Sequence, residues 1–124
     1  MGINSMMVMD ESDLRKRLNL VLQWNRTCII CGEEFANLAC VTREHLIPAS
    51  KGGKQFENIA PSHHNCNSLR EDKSLIEADL MVRFLRRKWG EARFKTWLSR
   101  PAPSLLVPPM ALISIDEVLQ MYDE

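Results

Sequence analysis

Four residues of the chain stand in two pairs with the spacing of zinc-binding knuckles. Cys28 and Cys31 form a C-x-x-C pair, in which a tight turn directs both thiolates at one ion. His63 and Cys66 repeat this spacing further along the chain. Together the two pairs supply three thiolates and one imidazole, which is a closed tetrahedral ligand set for a structural Zn²⁺.

Two other residues compete for the fourth position of this zinc site. His64 adjoins His63, and Cys40 is a further thiol within reach of a folded core. We choose His63 for its knuckle spacing and interpret Cys40 as a small buried side chain. A redox pair at Cys28 and Cys31 is the alternative for the first knuckle, but it requires a surrounding βαβ pattern that the sequence lacks.

The segment between the two knuckles carries polar residues that zinc binding does not require, and an ordered pattern of them resembles a known family. The pattern resembles the HNH endonucleases, also called ββα-metal or His-Me finger nucleases, and within them the zinc-knuckle branch of phages and bacteria. The resemblance covers residues 28–73 and rests on this combination: Cys28-x-x-Cys31, Glu44-His45-Leu46-Ile47-Pro48-x-Ser50-x-Gly52-Gly53, Asn58-Ile59, His63-x-x-Cys66-Asn67 and Lys73.

The resemblance implies metal-dependent hydrolysis of DNA phosphodiester bonds, leaving a 5′-phosphate and a 3′-hydroxyl. His45 is then the general base, since a neutral imidazole can accept a proton from water near pH 7. Glu44 and Asn67 correspond to the ligands of one catalytic divalent ion, and their oxygen atoms suit Mg²⁺ or Mn²⁺. Asn58 corresponds to the residue that orients the base, and the zinc is structural.

Three residues depart from the commonest family pattern. Glu44 stands where Asp or His is usual, Asn67 where the last histidine is usual, and His63 where a cysteine is usual. None of these changes removes the expected general base. The alternative function is a non-catalytic zinc-knuckle module that binds nucleic acid or protein. It explains the cysteines but gives no role to the polar residues between them.

The expected partner is duplex DNA, although the net charge of the chain is zero and does not by itself indicate DNA binding. Sixteen basic and sixteen acidic residues cancel, which argues against binding through bulk charge. We expect the phosphate contacts near the catalytic residues, at Lys51, Lys54, Arg70 and Lys73. A basic stripe further along is either a second phosphate-tracking surface or a solvated helix face: Arg83, Arg86 and Arg87.

The sequence pattern predicts an α+β fold that positions these residues. It has a small zinc-stapled ββα core flanked by N- and C-terminal helices. Its length suits one domain, residues 1–124. The Met-rich N-terminus is expected to be a loose end. The predicted elements up to the second knuckle are a helix at Asp10–Asn25, strands at Leu38–Pro48 and Phe56–Pro61, and a short helix from His64 to about Asp72.

A helical extension is predicted after the core, over residues 74–100. A capping box at Ser74 and Glu77 begins a helix that ends near Trp89, and residues 91–99 form another. The apolar residues of the first helix follow helical spacing: Leu80, Met81, Phe84 and Leu85. A Pro-rich linker and a terminal helix at Ser114–Met121 are predicted within residues 101–124.

The sequence also bears on location. Its longest apolar stretch, Leu105–Ile113, contains two prolines and is far shorter than the roughly 20 residues of a membrane span. The N-terminus lacks the pattern of a secretory signal, so we expect a cytoplasmic protein with no membrane partner and with reduced cysteines. The sequence specifies neither the target site nor the oligomeric state.

Overall fold

Five helices and two short sheets make up the part of the chain that the computed structural model describes, residues 7–46, 59–103 and 105–123. The α+β prediction is confirmed. Short 3₁₀ turns cover Leu38–Cys40 and Pro109–Ala111. The helices and strands follow one another as β1 (Met7–Val8), α1 (Glu11–Gln23), β2 (Val41–His45), β3 (Ile59–His63), α2 (His64–Arg70), α3 (Leu75–Trp89), α4 (Glu91–Leu98), β4 (Leu105–Leu106) and α5 (Ile115–Asp123).

The central unit of the fold is an antiparallel hairpin of β2 and β3 followed at once by α2. In the register of the hairpin, Val41 is opposite His63 and His45 is opposite Ile59. Helix α2 begins at the residue after β3 and packs against both strands. This is the ββα arrangement that the sequence predicted. The ββα unit therefore brings the end of β2, the end of β3 and the first turns of α2 together.

Both predicted strands differ from the observed ones at their ends. Strand β2 begins only at Val41, because the residues before it form a 3₁₀ turn. The Asn37 side chain caps that turn by accepting a hydrogen bond from the Cys40 N–H at 3.1 Å. Strand β3 runs on to His63, two residues beyond the predicted end. Residues 47–48 and 56–58 of the two predictions lie outside the described residues.

Helix α1 is fixed against the hairpin and has a well-defined start. Asp10 and Asp13 form a capping box in which each side chain accepts a hydrogen bond from the other residue's backbone N–H, at 2.9 and 3.2 Å. The Arg17 guanidinium donates to the Val41 carbonyl of β2. The helix ends before Asn25 and Arg26, whose left-handed backbone conformations turn the chain toward the first knuckle.

Helix α3 begins and ends where the sequence predicted, but its apolar residues face two directions. The Ser74 side chain accepts a hydrogen bond from the Glu77 N–H at 3.1 Å, and Gly90 ends the helix with φ 83°. The core side of α3 is formed by the small residues Ala78 and Val82, which are buried. Leu80 and Phe84, which the periodicity placed on the apolar face, are each 62% exposed.

Residues 7–9 of the N-terminal segment are not the loose end that its composition suggested, and residues 1–6 lie outside the described residues. Met7–Val8 pairs in parallel with Leu105–Leu106, and the Met9 N–H donates to the Leu106 carbonyl at 3.0 Å. The Met9 side chain is buried in the core. The Pro-rich segment therefore contains a short strand, which ties the two ends of the described chain together.

The buried apolar residues form one cluster, to which both terminal segments contribute. Leu14, Leu18 and Val21 of α1 belong to it, as do Ile115 and Val118 of α5. An ion pair at 2.6 Å between Arg26 and Asp116 joins the same two regions. Within the described residues, no helix combines the length and the apolar character that crossing a membrane requires.

Candidate metal centre and catalytic residues

The two knuckles meet in the structure and bring four ligand atoms together. The Sγ atoms of Cys28, Cys31 and Cys66 and a ring nitrogen of His63 all lie within 4.8 Å of one another. The His63 Nδ1 is 3.5 Å from the Cys31 Sγ and 4.0 Å from the Cys66 Sγ. A tetrahedral zinc with Zn–S of about 2.3 Å and Zn–N of about 2.0 Å spaces its ligand atoms about 3.5–3.8 Å apart. The four residues therefore fit a zinc ion.

The first knuckle is a tight turn that places backbone N–H groups around the Cys28 sulfur. The N–H groups of Ile30 and Cys31 donate to this Sγ at 3.4 and 3.5 Å, and the His63 N–H does so at 3.5 Å. Gly32 closes the turn by donating to the Cys28 carbonyl at 2.9 Å. Its φ of 77° is a conformation that a residue with a Cβ adopts only with strain.

These contacts favour the thiolate form of Cys28, the form that binds metal. Burial raises the pKa of the Cys28 thiol, but hydrogen bonds from Cys31, Cys66 and His63 outweigh burial, and the net pKa is lowered. The hydrogen bond with Cys28 in turn raises the pKa of the Cys31 thiol and of the Cys66 thiol, so the three thiols would all be thiolates only with a bound cation.

The orientation of His63 identifies the nitrogen that faces the thiols. Its Nε2 lies 3.3 Å from the Glu34 carbonyl oxygen, which can only accept a hydrogen bond. This contact assigns the proton to Nε2 and leaves the lone pair on Nδ1, toward Cys31 and Cys66. The Phe35 ring packs against the imidazole with 4.5 Å between ring centres.

His63 is therefore the fourth member of the cluster, as its spacing predicted. His64 and Cys40 do not belong to the one Cys, His, Asp and Glu cluster found among the described residues. Cys40 is buried, and its thiol donates to the Asn37 carbonyl at 3.3 Å. Its interpretation as a small buried side chain agrees with this position.

The predicted metal ligand Glu44 lies in the interior beside an arginine. The Glu44 side chain is 7% exposed, and its Oε1 is 3.5 Å from Nη1 of Arg70, which is 1% exposed. The same guanidinium donates to the Leu46 carbonyl and to the Lys73 carbonyl, each at 2.7 Å. Arg70 thus connects the end of β2, on both sides of His45, to the residues that follow α2.

This position bears on the expectation that Arg70 contacts DNA phosphates, which stays a prediction. A side chain with 1% exposure that is engaged by a carboxylate and two carbonyl groups is not presented to an approaching phosphate. Its observed contacts instead hold Glu44 and the end of β2. The sequence offered no signal for this pairing, because Glu44 and Arg70 belong to different elements and arginine is usually a surface residue.

The other predicted catalytic residues are placed by the backbone of the ββα unit. His45 is the last residue of β2, and Glu44 precedes it opposite Ala60. Asn67 is half-buried in α2, one helical turn before Arg70, and positions three apart share a helix face.

The remaining predicted site residues are described only in part. Asn58, Lys51 and Lys54 lie outside the described residues. Lys73 is half-buried, and its ammonium group donates to the Leu69 carbonyl at 3.5 Å. It is the one predicted DNA contact that the described part of the chain leaves partly accessible.

Carboxylates neutralise much of the basic stripe on α3. Arg83 pairs with Asp79 at 3.0 Å, and Arg86 pairs with Glu33 at 3.0 Å and with Glu91 at 2.8 Å. These pairs reduce the positive charge that this helix face offers to DNA. Of the nearby aromatic residues, Trp89 and Trp97 pack edge to face with 5.5 Å between ring centres.

Comparison with known protein families agrees with this geometry. Residues 28–73 match the family model HNH, described as HNH endonuclease. This segment contains both knuckles and the whole ββα unit, and its Cys28, Cys31, His63 and Cys66 cluster fits an HNH domain of the zinc-knuckle kind. The family points to a nuclease. No curated protein and no solved structure gives a significant match to the chain.

Proposed function

We propose that the protein is a metal-dependent endonuclease that hydrolyses phosphodiester bonds in duplex DNA. The observation that supports this most is the ββα unit, which lies wholly within the segment that matches the HNH family. That unit has His45 at the end of one strand, Glu44 beside it in the sequence, and Asn67 on the adjoining helix. Zinc binding alone would require none of these three residues.

His45 acts as the general base in this proposal. It accepts a proton from the water that attacks the phosphorus atom, while the P–O bond to the 3′ oxygen breaks. The end of β2 holds its backbone, which pairs with Ile59 across the hairpin. Asn58, which precedes Ile59 in the sequence, orients the imidazole. The products are a 5′-phosphate and a 3′-hydroxyl.

Glu44 and Asn67 would hold the catalytic divalent ion. Mg²⁺ commonly binds one or two protein oxygen ligands and completes its coordination with water and substrate phosphate. A carboxylate from β2 and an amide from α2 fit this pattern. When bound, Mg²⁺ or Mn²⁺ would stabilise charge on the phosphate and on the leaving oxygen. Arg70 keeps the Glu44 carboxylate in place.

The zinc held by Cys28, Cys31, His63 and Cys66 has a structural part in this proposal. It joins the turn after α1 to the junction of β3 and α2, so that α2 carries Asn67 at a fixed position relative to the hairpin. Lys51, Lys54 and Lys73 contact the DNA phosphates. Such contacts position the duplex without reading its sequence.

Cleavage of a supercoiled plasmid tests the proposal. The wild type should nick or cut DNA with Mg²⁺ or Mn²⁺, and His45→Ala should be slower by about 10²- to 10⁴-fold, the usual contribution of a general base. DNA affinity, measured by fluorescence anisotropy in Ca²⁺, should change little. Glu44→Gln should instead raise the divalent-ion concentration that gives half-maximal rate.

Two results would contradict the proposal. One is a zinc-loaded wild type that cuts no duplex, single-stranded or branched DNA with any divalent ion. The other is a His45→Ala variant that cuts as fast as the wild type. With DNA affinity retained, either result would favour the non-catalytic zinc-knuckle module.

A further inference from the structure

Helix α3 carries an exposed apolar stripe on the side away from the core. Ile76, Leu80 and Phe84 are 76%, 62% and 62% exposed, and they stand four residues apart along the helix. Residues at this spacing follow one another along a single face. Because Ala78 and Val82 already supply the buried contacts of α3, the stripe does not serve the core.

Beside the stripe lies a groove with almost no polar lining. Its volume is about 420 Å³, and it is formed by Leu69 of α2 together with four residues of α3: Leu80, Met81, Phe84 and Leu85. Because Leu80 and Phe84 belong to both, the stripe and the groove form one continuous apolar surface against which another helix can pack. A contiguous apolar surface of this kind marks an interaction site more often than single exposed residues do.

We propose that the stripe and groove are the contact by which two copies of this chain pair, α3 against α3, in antiparallel orientation. A two-fold contact requires one surface that complements itself. The stripe meets this requirement, because a two-fold axis at Leu80 sets Ile76 of each copy opposite Phe84 of the other. The proposal does not depend on nuclease activity.

The charges along α3 select the antiparallel orientation. Asp79 and Arg83 already pair with each other within the helix at 3.0 Å. The charges left for a partner copy are Glu77 in the first turn and Arg87 and Lys88 in the last turn. An antiparallel pair sets the acidic first turn of each copy against the basic last turn of the other. A parallel pair would align like charges at both ends of the contact and would be opposed by their repulsion.

The size of the stripe sets the strength of the contact. The eight helical steps from Ile76 to Phe84 span about 12 Å, since the rise is about 1.5 Å per residue. Two helices that touch over this length bury less than the roughly 1,200 Å² of a standard stable interface. We therefore expect a dimer that forms in the micromolar range and dissociates on dilution.

Sedimentation velocity of the zinc-loaded full chain over a concentration series tests the pairing. The wild type should pass from monomer to dimer as its concentration rises. Leu80→Glu should raise the dissociation constant by at least tenfold, because it places two carboxylates at the two-fold axis. Leu112→Glu is the matched control, since Leu112 is 54% exposed at a different site. It should dimerise like the wild type.

Cysteine cross-linking with a short bismaleimide tests the orientation. A mixture of Ile76→Cys and Phe84→Cys chains should give a heterodimeric product, whereas Ile76→Cys alone should give little. The reverse result would overturn the antiparallel arrangement. A wild type that stays monomeric at millimolar concentration, or a Leu80→Glu variant that dimerises unchanged, would overturn the pairing. If the wild type stays monomeric and Leu80→Glu has a lower melting temperature, the chain itself covers the stripe.

Discussion

At the scale of single residues, Arg70 has the most informative contacts. Its guanidinium has the planar set of donors that reaches a carboxylate and two carbonyl oxygens at once, which a lysine ammonium cannot do in the same geometry. The carboxylate is that of Glu44, which precedes His45, and one carbonyl is that of Leu46, which follows it. The other carbonyl is that of Lys73, after the end of α2. Glu44 and the backbone at His45 are therefore held by one side chain.

At Arg70, the positive charge beside Glu44 and the several donors of the guanidinium should have separate effects on stability and on cleavage. Arg70→Lys keeps the positive charge beside Glu44 but loses at least one carbonyl contact, so the chain should fold while the end of β2 is held less firmly. We expect slower DNA cleavage and a higher divalent-ion requirement, with DNA affinity near that of the wild type. A cleavage assay over a Mn²⁺ titration, paired with anisotropy, measures both quantities.

Arg70→Met is the companion change, and Arg87→Met is its surface control. Removing Arg70 breaks its buried ion pair with Glu44, and breaking such a pair typically destabilises a protein by about 3–5 kcal/mol. Arg87 is exposed, so its replacement should leave the unfolding free energy nearly unchanged. If Arg70→Met weakened DNA binding while stability and metal requirement stayed at wild-type values, Arg70 would be a phosphate contact after all.

At the scale of elements, α3 divides its apolar residues between the core and the surface. Val82 is buried and Leu80 is 62% exposed, although both are aliphatic residues of the same helix. Val82→Ala removes about two methylene equivalents from the core and should lower the unfolding free energy by about 2 kcal/mol. Leu80→Ala should lower it by less than about 0.5 kcal/mol.

Denaturant unfolding compares the two variants. The protein is zinc-loaded and kept at a concentration at which it is monomeric. The low concentration matters, because a dimer would add its own free energy to the apparent stability. Equal losses for Val82→Ala and Leu80→Ala would show that Leu80 is covered within the monomer. That result would remove the basis for a contact surface on α3.

Much of the fold and site follows from local signals in the sequence. The capping box at Ser74 and Glu77 located the start of α3, since these residues act on neighbouring backbone groups. The spacing of Cys28, Cys31, His63 and Cys66 gave the metal cluster, because each knuckle is a local turn. The order of the strands and α2 came from the family resemblance.

The features that escaped the sequence depend on contacts between distant segments. Strand β1 pairs with β4 across nearly the whole chain, and two-residue strands have no periodicity to detect. The Glu44–Arg70 contact joins two elements whose packing angle no local pattern encodes. Periodicity found an apolar side on α3 but could not distinguish the side buried by small residues from the side left exposed.

At the scale of the whole molecule, the metal cluster connects three segments of the chain. Cys28 and Cys31 follow α1, His63 ends β3 and Cys66 lies in the first turn of α2. The same sulfur and nitrogen atoms lie within 4.8 Å of one another, a concentration of ionisable groups that a bound cation would stabilise. Metal binding should therefore contribute directly to the free energy of folding.

Zinc removal tests this coupling. The purified protein should contain one zinc per chain by native mass spectrometry, and a strong chelator should lower its melting temperature sharply. Cys28→Ser should lose the metal and destabilise the fold in the same way, because it removes the sulfur that three backbone N–H groups surround.

Cys40→Ser is the control, since Cys40 is equally buried but lies outside the cluster. It should retain the zinc, and a hydroxyl can keep the hydrogen bond to the Asn37 carbonyl. A chelator-treated protein with unchanged circular dichroism and melting temperature would contradict a structural metal. Loss of zinc from Cys40→Ser but not from a His63→Ala variant would move the fourth ligand to Cys40.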